Sequence, residues 1–421
     1  MNGAARVLGG LTMIVTIWGP ARVGWTQPTI PKNRIPAGLP SEIQQQFESL
    51  YATDPRQRAD AAGRLRGHRD VADHVIPFLV AMLHDAETLY GEEALRRRSL
   101  ISSFASRFPE PNSPGEVAAR ALATMRTETV GPHLDLLIAR LREKDPHTRA
   151  NVLRAFGEMP RLKDRRVMRP LIEVLDDPHP TVRQYAATVL AGAEDLPLAE
   201  AVAPLLANLG HREADVRAAA AKALGAAKDA RAVDPLIGIL ADRNEEAHVR
   251  GSAAGALSKI DDPRRVEPLI VAAGDQQPAL RKAAAAALAA VRDPRAAPPL
   301  IAALGDEDRQ VREVTAGALG RYDNHWAVEP LIAALEDEYP NVRAQAAHSL
   351  GELGDPRALK PLLDALKDPN SYVRWHAATG LGELKHPRAK ASLTEALQDE
   401  SEVVRRAAER ALKAIDRTTR I

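Results

Sequence analysis

Cysteine is absent from this 421-residue chain. Its absence excludes disulfides, thiolate metal sites, a thiol nucleophile and a lipid anchor that needs an acylated cysteine. Aromatic residues make up only 4%, so any core must be built of alanine and branched aliphatic side chains. Charge of one sign is also missing. Lys plus Arg number 57 against 56 for Asp plus Glu, and no global basic field favours nucleic acid or an anionic membrane. The uncharged apolar run Val7–Trp18 is 12 residues long, well short of the roughly 20 that a membrane-spanning helix needs. The chain has no G-x-S-x-G elbow, no G-x-x-x-x-G-K phosphate loop, no G-x-G-x-x-G after a strand and no H-E-x-x-H, motifs that each carry a specific chemistry.

What the chain does have is a period. Arg149, Arg183, Arg217, Arg250, Arg281, Arg312, Arg343, Arg374 and Arg405 follow one another at steps of 34, 34, 33, 31, 31, 31, 31 and 31 residues. Each stands at the head of an alanine-rich stretch. A fixed period in this range marks a supersecondary unit that cannot bury its apolar face alone and stacks on its neighbours.

The unit from Asp293 to Gly320 shows the pattern. Asp293-Pro294 is a helix-start signal, an N-cap oxygen followed by a residue whose missing N–H had no partner anyway. Ala297, Leu300, Ile301 and Leu304 then share one helical face. Pro299 predicts a kink or restart in that first helix. Gly305-Asp306 breaks the run, and a second helix carries Val311, Thr315, Ala318 and Leu319 on one face. Gly320 sits where a C-terminal cap favours a residue tolerant of positive φ. The same text returns as Pro268-Leu269-Ile270 and Pro330-Leu331-Ile332 in the first helix, and as VRAAAAKALG (216–225) and VRAQAAHSLG (342–351) in the second.

The recurring D-P-R-A-x-x-P-L-I-x-A-L followed by V-R-x-x-A-A-x-A-L-G resembles the HEAT-like repeats of the phycobilin-lyase, or E-Z, type over about residues 130–415. The resemblance implies an all-α fold, an α-solenoid of stacked antiparallel HEAT-like helix pairs. The family spans bilin lyases, metal-dependent hydroxylases and plain binding arrays. Its di-iron hydroxylases carry His-Glu dyads just after the arginine. This sequence contains no His-Glu pair, and reads Arg343-Ala344-Gln345 and Arg374-Trp375-His376 at the matching places. The family's metal ligands therefore do not carry over.

The N-terminal part differs from the rest. Residues 1–26 read as a secretory signal peptide or N-terminal anchor, with Arg6, the run Val7–Trp18 and small residues after it. Residues 27–40 read as a Pro-rich linker. Residues 41–114 read as eroded helical hairpins that cap the stack, and 115–421 as the regular array. Terminal repeats are atypical because one side faces water.

Six of the nine arginines have an aspartate six residues earlier: Asp177 before Arg183, Asp275 before Arg281, Asp306 before Arg312, Asp337 before Arg343, Asp368 before Arg374 and Asp399 before Arg405. Such an aspartate is expected to cap the second helix and accept a hydrogen bond from its own arginine, giving a structural ladder. An aspartate beside each of these six arginines cancels the charge of a basic groove. His348 and His376 fall on successive second helices, but two histidines with no nearby acidic third ligand make a poor metal site. No metal and no cofactor are expected.

No Phe, Trp or Tyr occurs between residues 186 and 321, and then Tyr322, Trp326, Tyr339, Tyr372 and Trp375 arrive together. Aromatic side chains with polar handles anchor interfaces; the alternative use for these is packing against the next helix pair. Residues one, two and five places after each arginine are expected on the concave face. That rule selects Gln345, His348, Trp375, His376 and Thr379 as candidate protein-binding residues, and it includes Ala344. The reading is an exported, non-catalytic repeat protein that binds a protein or peptide, with no nucleic-acid partner. A bilin lyase or its subunit is the alternative implied by the resemblance, and export counts against it. A HEAT-like nucleic-acid binder is the other, and the charge balance counts against that.

Overall fold

The alanine-rich stretches form helices because their apolar positions recur at helical spacing, and Pro or Gly separates one stretch from the next. The computed structural model describes residues 28–68, 71–89, 113–125, 130–159, 162, 164–193, 195–322 and 325–418. The expected signal or anchor at 1–26 lies outside them. Among the described residues there are 22 α-helices and no strand, which makes the fold an all-α solenoid. The chain divides into two compact units, residues 1–160 and 161–421.

The first unit holds α1 (Ser41–Ser49), α2 (Pro55–Leu65), α3 (Ala72–Ala81), α4 (Pro114–Thr124), α5 (Leu134–Arg140) and α6 (Pro146–Glu158). Helices α2, α4 and α6 pack one on the next, backed by α1, α3 and α5. Pro28 is buried, and the residues after it dock on this unit. Tyr51 Oη donates to the Ile30 carbonyl at 2.5 Å, and the Arg140 guanidinium donates to Thr29 Oγ1 at 3.1 Å.

The second unit alternates short outer helices with longer inner ones. The outer row is α7 (Met168–Glu173), α9 (Val202–Asn208), α11 (Val233–Ala241), α13 (Val266–Ala272), α15 (Ala297–Ala303), α17 (Val328–Ala334), α19 (Leu359–Ala365) and α21 (Lys390–Ala396). The inner row is α8 (Pro180–Gly192), α10 (Ala214–Ala227), α12 (Ala247–Leu257), α14 (Pro278–Val291), α16 (Arg309–Leu319), α18 (Pro340–Leu353), α20 (Ser371–Leu384) and α22 (Glu402–Thr418). Each inner helix packs on the next. Val311, Thr315, Ala318 and Leu319 of α16 and Ala297 and Leu300 of α15 are all buried, whereas Ile301 and Leu304 are only half-buried.

Two local expectations need correction. The restart in the outer element precedes Pro299: Asp293 accepts from the Arg295 N–H, Pro294–Ala296 form a 3-10 turn, and α15 begins at Ala297. Gly320 is not a left-handed cap, since its φ is −61°. Among the described residues the left-handed helix caps are Lys228, Arg292, Gly354 and Lys385. What keeps the Leu-Gly glycines small is proximity. A Cβ on Gly320 would lie 2.6 Å from Ser349 Oγ, and one on Gly351 would lie 2.3 Å from the Gly380 Cα. These glycines let inner helices approach at near-backbone contact.

The arginines explain how one repeat fixes the next. Arg312 Nη1 donates to the carbonyls of Asp306 and Glu307 at 2.7 and 3.3 Å, while Nε and Nη2 reach the Asp337 carboxylate at 2.7 and 3.2 Å. The aspartate six residues earlier therefore supplies its main-chain oxygen, and the carboxylate partner belongs to the following repeat. The same holds for Arg281 with Asp306, Arg343 with Asp368 and Arg374 with Asp399. Arg250 reaches Asp275 at 2.7 Å. The aspartate side chains do not cap the inner helix. Asp306 instead accepts from the Asp308 N–H, and Asp308 is the N-cap of α16. Asp177 likewise accepts from the His179 N–H, and its carbonyl takes the Arg183 Nε. Arg405 donates to the carbonyls of Asp399 and Glu400.

Burial tends to raise the Asp306 pKa, but the hydrogen bonds from Arg281 and from the Asp308 N–H outweigh it and hold the carboxyl below its ordinary value. In Asp399 the Arg374 hydrogen bond is the larger influence and again lowers it. The ladder changes chemistry at its early end. Arg217 pairs with Glu245 at 2.7 Å, and His211 stands where the later repeats place aspartate. The first unit carries a rung of its own. Arg58 donates to the carbonyls of Ala52 and Thr53 and, at 2.6 Å, to Asp85, with both side chains at 0% exposure. Its signal was Pro55, three residues ahead, as Pro278 precedes Arg281 and Pro340 precedes Arg343.

Three outcomes follow from this packing. Arg312→Ala strands the Asp337 carboxylate and two turn carbonyls, and should lower unfolding free energy by about 1–3 kcal/mol, read from urea denaturation with the helical signal otherwise intact. Gly351→Ala forces a methyl into the α18–α20 crossing and should destabilise by about 1–3 kcal/mol, whereas helix propensity alone would make Gly→Ala favourable. A thermal melt distinguishes the two signs.

The third concerns acid. Hydrogen bonds from the Arg264, Arg295 and Arg357 side chains, and then from their N–H groups, hold Asp262, Asp293 and Asp355 at about 2. A depressed folded-state value contributes stability above the unfolded value of about 3.9. That stability is lost as pH falls through the interval down to about 2. The urea midpoint should therefore fall between pH 4 and pH 2, and Asp293→Asn should flatten the fall.

Candidate functional site

Arg343 and Arg374 are both fixed by the ladder, so the residues following them on α18 and α20 hold defined positions along the inner row. Ala344 is fully buried, and Gln345 is half-buried with its amide oxygen lying over Gly317 of α16. His348 is half-buried. Trp375 and Thr379 are half-buried too, and the Thr379 hydroxyl donates to the Trp375 carbonyl at 3.0 Å. His376 is only 8% exposed. The rule that places positions one, two and five on an open face therefore fails for Ala344, which packs against its neighbours, and His376 lies beneath the surface.

The structure does bring the rings together. His348 and His376 stand 5.4 Å apart between centroids. Tyr372 meets His376 edge-on at 4.6 Å, and Trp375 lies 4.4 Å from His376 and 5.5 Å from Tyr372. Tyr372 is 40% exposed. Neither His376 nitrogen has a hydrogen-bond partner, and His348 Nδ1 has none. Burial, with the His348 charge adding to it, pushes the His376 pKa down to about 4, so the imidazole is neutral at physiological pH.

Two carboxylates border this cluster that the three-position rule did not select. Glu352 Oε1 lies 3.7 Å from His348 Nε2, and Glu352 Oε2 overlies Gly320. Glu383 is exposed, but one of its oxygens overlies Gly351. Loss of water against α18 raises its pKa, with His348 lowering and Glu352 raising it. The signal for both was positional, since each stands nine residues after its arginine. No group of three His, Cys, Asp or Glu residues among the described residues is arranged to hold a metal ion.

The other late aromatics serve different ends. Tyr322 is buried and donates to the Leu288 carbonyl at 2.7 Å, with burial raising its pKa to about 12. Tyr339 lies under the Arg309 and Arg312 guanidinium groups at 5.1 and 5.5 Å. Trp326 is 73% exposed on the turn before α17. Among the described residues no helix is long and apolar enough to cross a membrane.

Solved structures similar to this chain include YibA of E. coli, at 24% identity over 62% of this chain and 95% of that one, with a TM-score of 0.45. The CpcE–CpcF complex of phycocyanin lyase from Nostoc is similar at 24% identity over 51% of this chain and 94% of that one, TM-score 0.36. The karyopherin Kap95p, solved with RanGDP, covers 91% of this chain and 59% of its own at 14% identity, TM-score 0.50, a likeness of fold alone. No curated protein matches the chain. The HEAT-repeat family matches residues 114–191, 168–247, 202–271, 240–320, 266–338, 297–371 and 328–413. These overlapping windows run without a break over most of the sequence, and the chain belongs to the HEAT-repeat family.

Proposed function

We propose that this chain is a non-catalytic binding array that takes a protein or peptide partner on the inner-helix face of its C-terminal repeats. The observation that carries the reading is the ring cluster of Tyr372, Trp375, His376 and His348 on α18 and α20. The three inner helices just before it carry small or aliphatic residues two and five places after the arginine: Ser252 and Gly255 on α12, Ala283 and Ala286 on α14, and Val314 and Gly317 on α16. A half-exposed aromatic anchor beside smooth surface is the composition of an interface hot spot. Kap95p, similar in fold, is a protein solved with RanGDP and with Nup1. The 31-residue step and the D-P-R-A-x-x-P-L-I signature support placement in the phycobilin-lyase-type branch of HEAT-like repeats. Arg6 and the run Val7–Trp18 support export of the mature chain.

The test is photo-cross-linking of the full chain in its native host. A photoreactive residue at Gln345 or Thr379 should give discrete protein adducts, and one at Ala302, exposed on the outer helix α15, should not. Trp375→Ala with His376→Ala should then weaken the identified partner by about 2 kcal/mol or more with helical content retained. Adducts to nucleic acid, or equal labelling from Ala302, would overturn the reading.

A further inference from the structure

The cluster on α18 and α20 has polar demands that the protein leaves unmet. His376 is more than nine-tenths buried and neither of its ring nitrogens has a partner. A buried polar group without a hydrogen bond is costly and calls for an explanation. His348 Nδ1 is in the same condition. Glu383, across from His348, has no hydrogen-bond or ion-pair partner among the described residues, and Glu352 has only the 3.7 Å approach of His348. Elsewhere in the second unit Asp306, Asp355 and Asp368, carboxylates nine-tenths buried in turns, are each held by an arginine. Here two carboxylates stand beside two imidazoles and two aromatic rings, and no arginine or lysine among the described residues pairs with either carboxylate.

We infer that this cluster is a recognition site for a guanidinium group, the side chain of an arginine in the partner peptide. The occupant follows from the chemistry of the walls. Glu352 and Glu383 supply negative charge. Trp375 and Tyr372 present ring faces on which a planar, weakly hydrated cation stacks. A neutral imidazole offers one acceptor nitrogen, and a guanidinium brings five donors in a fixed fork. An ammonium has three donors and no planar face, so it satisfies the carboxylates but not the stack. Turning the half-exposed Trp375 ring away from His376 opens the acceptor beneath. This inference rests on the proposed inner-face partner and adds the partner's charge and side chain.

The experiment titrates the full chain with N-acetyl-arginine amide, N-acetyl-lysine amide or zinc chloride. The readout is the imidazole resonances of His348 and His376. The arginine probe should shift both resonances saturably and the lysine probe should bind more weakly. Glu352→Gln with Glu383→Gln, which preserves shape, should weaken the arginine probe by about fivefold or more. Asp364→Asn with Glu395→Gln, an equal loss of charge on outer helices, should leave it unchanged.

No arginine-dependent shift, an equal response to lysine, or an equal loss in the outer-helix control would overturn the inference. So would stoichiometric zinc uptake at the two histidines, which would make the cluster a metal site. If arginine is ignored while Gln345 still cross-links a protein, the guanidinium assignment falls and the interface stands. If arginine shifts the histidines but no protein is cross-linked, the proposed function fails instead.

Discussion

The second unit depends on one arrangement, an arginine that binds two carbonyls of the turn before its own helix and the aspartate of the next repeat. In Arg281 the same guanidinium reaches the Asp275 and Gln276 carbonyls and both Asp306 oxygens. The turn carbonyls would otherwise be orphaned beside packed helices. The aspartate meanwhile holds its own turn by accepting an N–H two residues on. Each rung therefore ties turn geometry to inter-repeat spacing. Apolar packing of alanine and leucine is non-directional and cannot set that spacing by itself. Charge-assisted, bidentate contacts fix a distance and an orientation.

Much of this was legible in the sequence. The period, the helix pairs, the Asp-Pro start of the outer element and the apolar face of Val311 and Leu319 all follow from local rules. The partner of each arginine did not. An aspartate six residues before one arginine is also the aspartate 25 residues after the previous one, because the period is 31. A perfect repeat makes the two assignments indistinguishable along the chain, and only the close approach of successive inner helices decides between them. Arg58 was obscured for the opposite reason. Its repeat lacks the valine that precedes seven of the nine periodic arginines, while its Pro55 and its buried partner Asp85 keep the rung intact.

The candidate site was legible in its residue types but not in its depth. His348 and His376 fall five and two places after their arginines, and that difference in helical phase decides exposure. The later position faces out and the earlier one sits between helices under Trp375. Glycine had a similar double meaning. Gly320 looked like a cap because it follows leucine near a helix end, and Gly351 holds the same place one repeat later. They serve as contact points over which Glu352 and Glu383 lie. A cap signal and a close-packing signal use the same residue, and the backbone angle separates them.

That double role links scaffold to site. Gly320 and Gly351 bring α16, α18 and α20 close enough for a carboxylate of one repeat to lie across the helix of the previous one. A larger residue at either place would push that carboxylate outward, where water would solvate it fully and no charge would focus on the rings. In the earlier repeats of the second unit the position nine places after the arginine is Gly192, Ala226, Lys259, Ala290 or Arg321, and the glutamate at that place in the first unit, Glu158, pairs with Arg154 at 3.5 Å. Within the second unit glutamate at this place is therefore confined to the two repeats that also carry the histidines and Trp375. A periodic scaffold makes function visible as a departure from its own rule. Here carboxylate, imidazole and aromatic ring depart from it together.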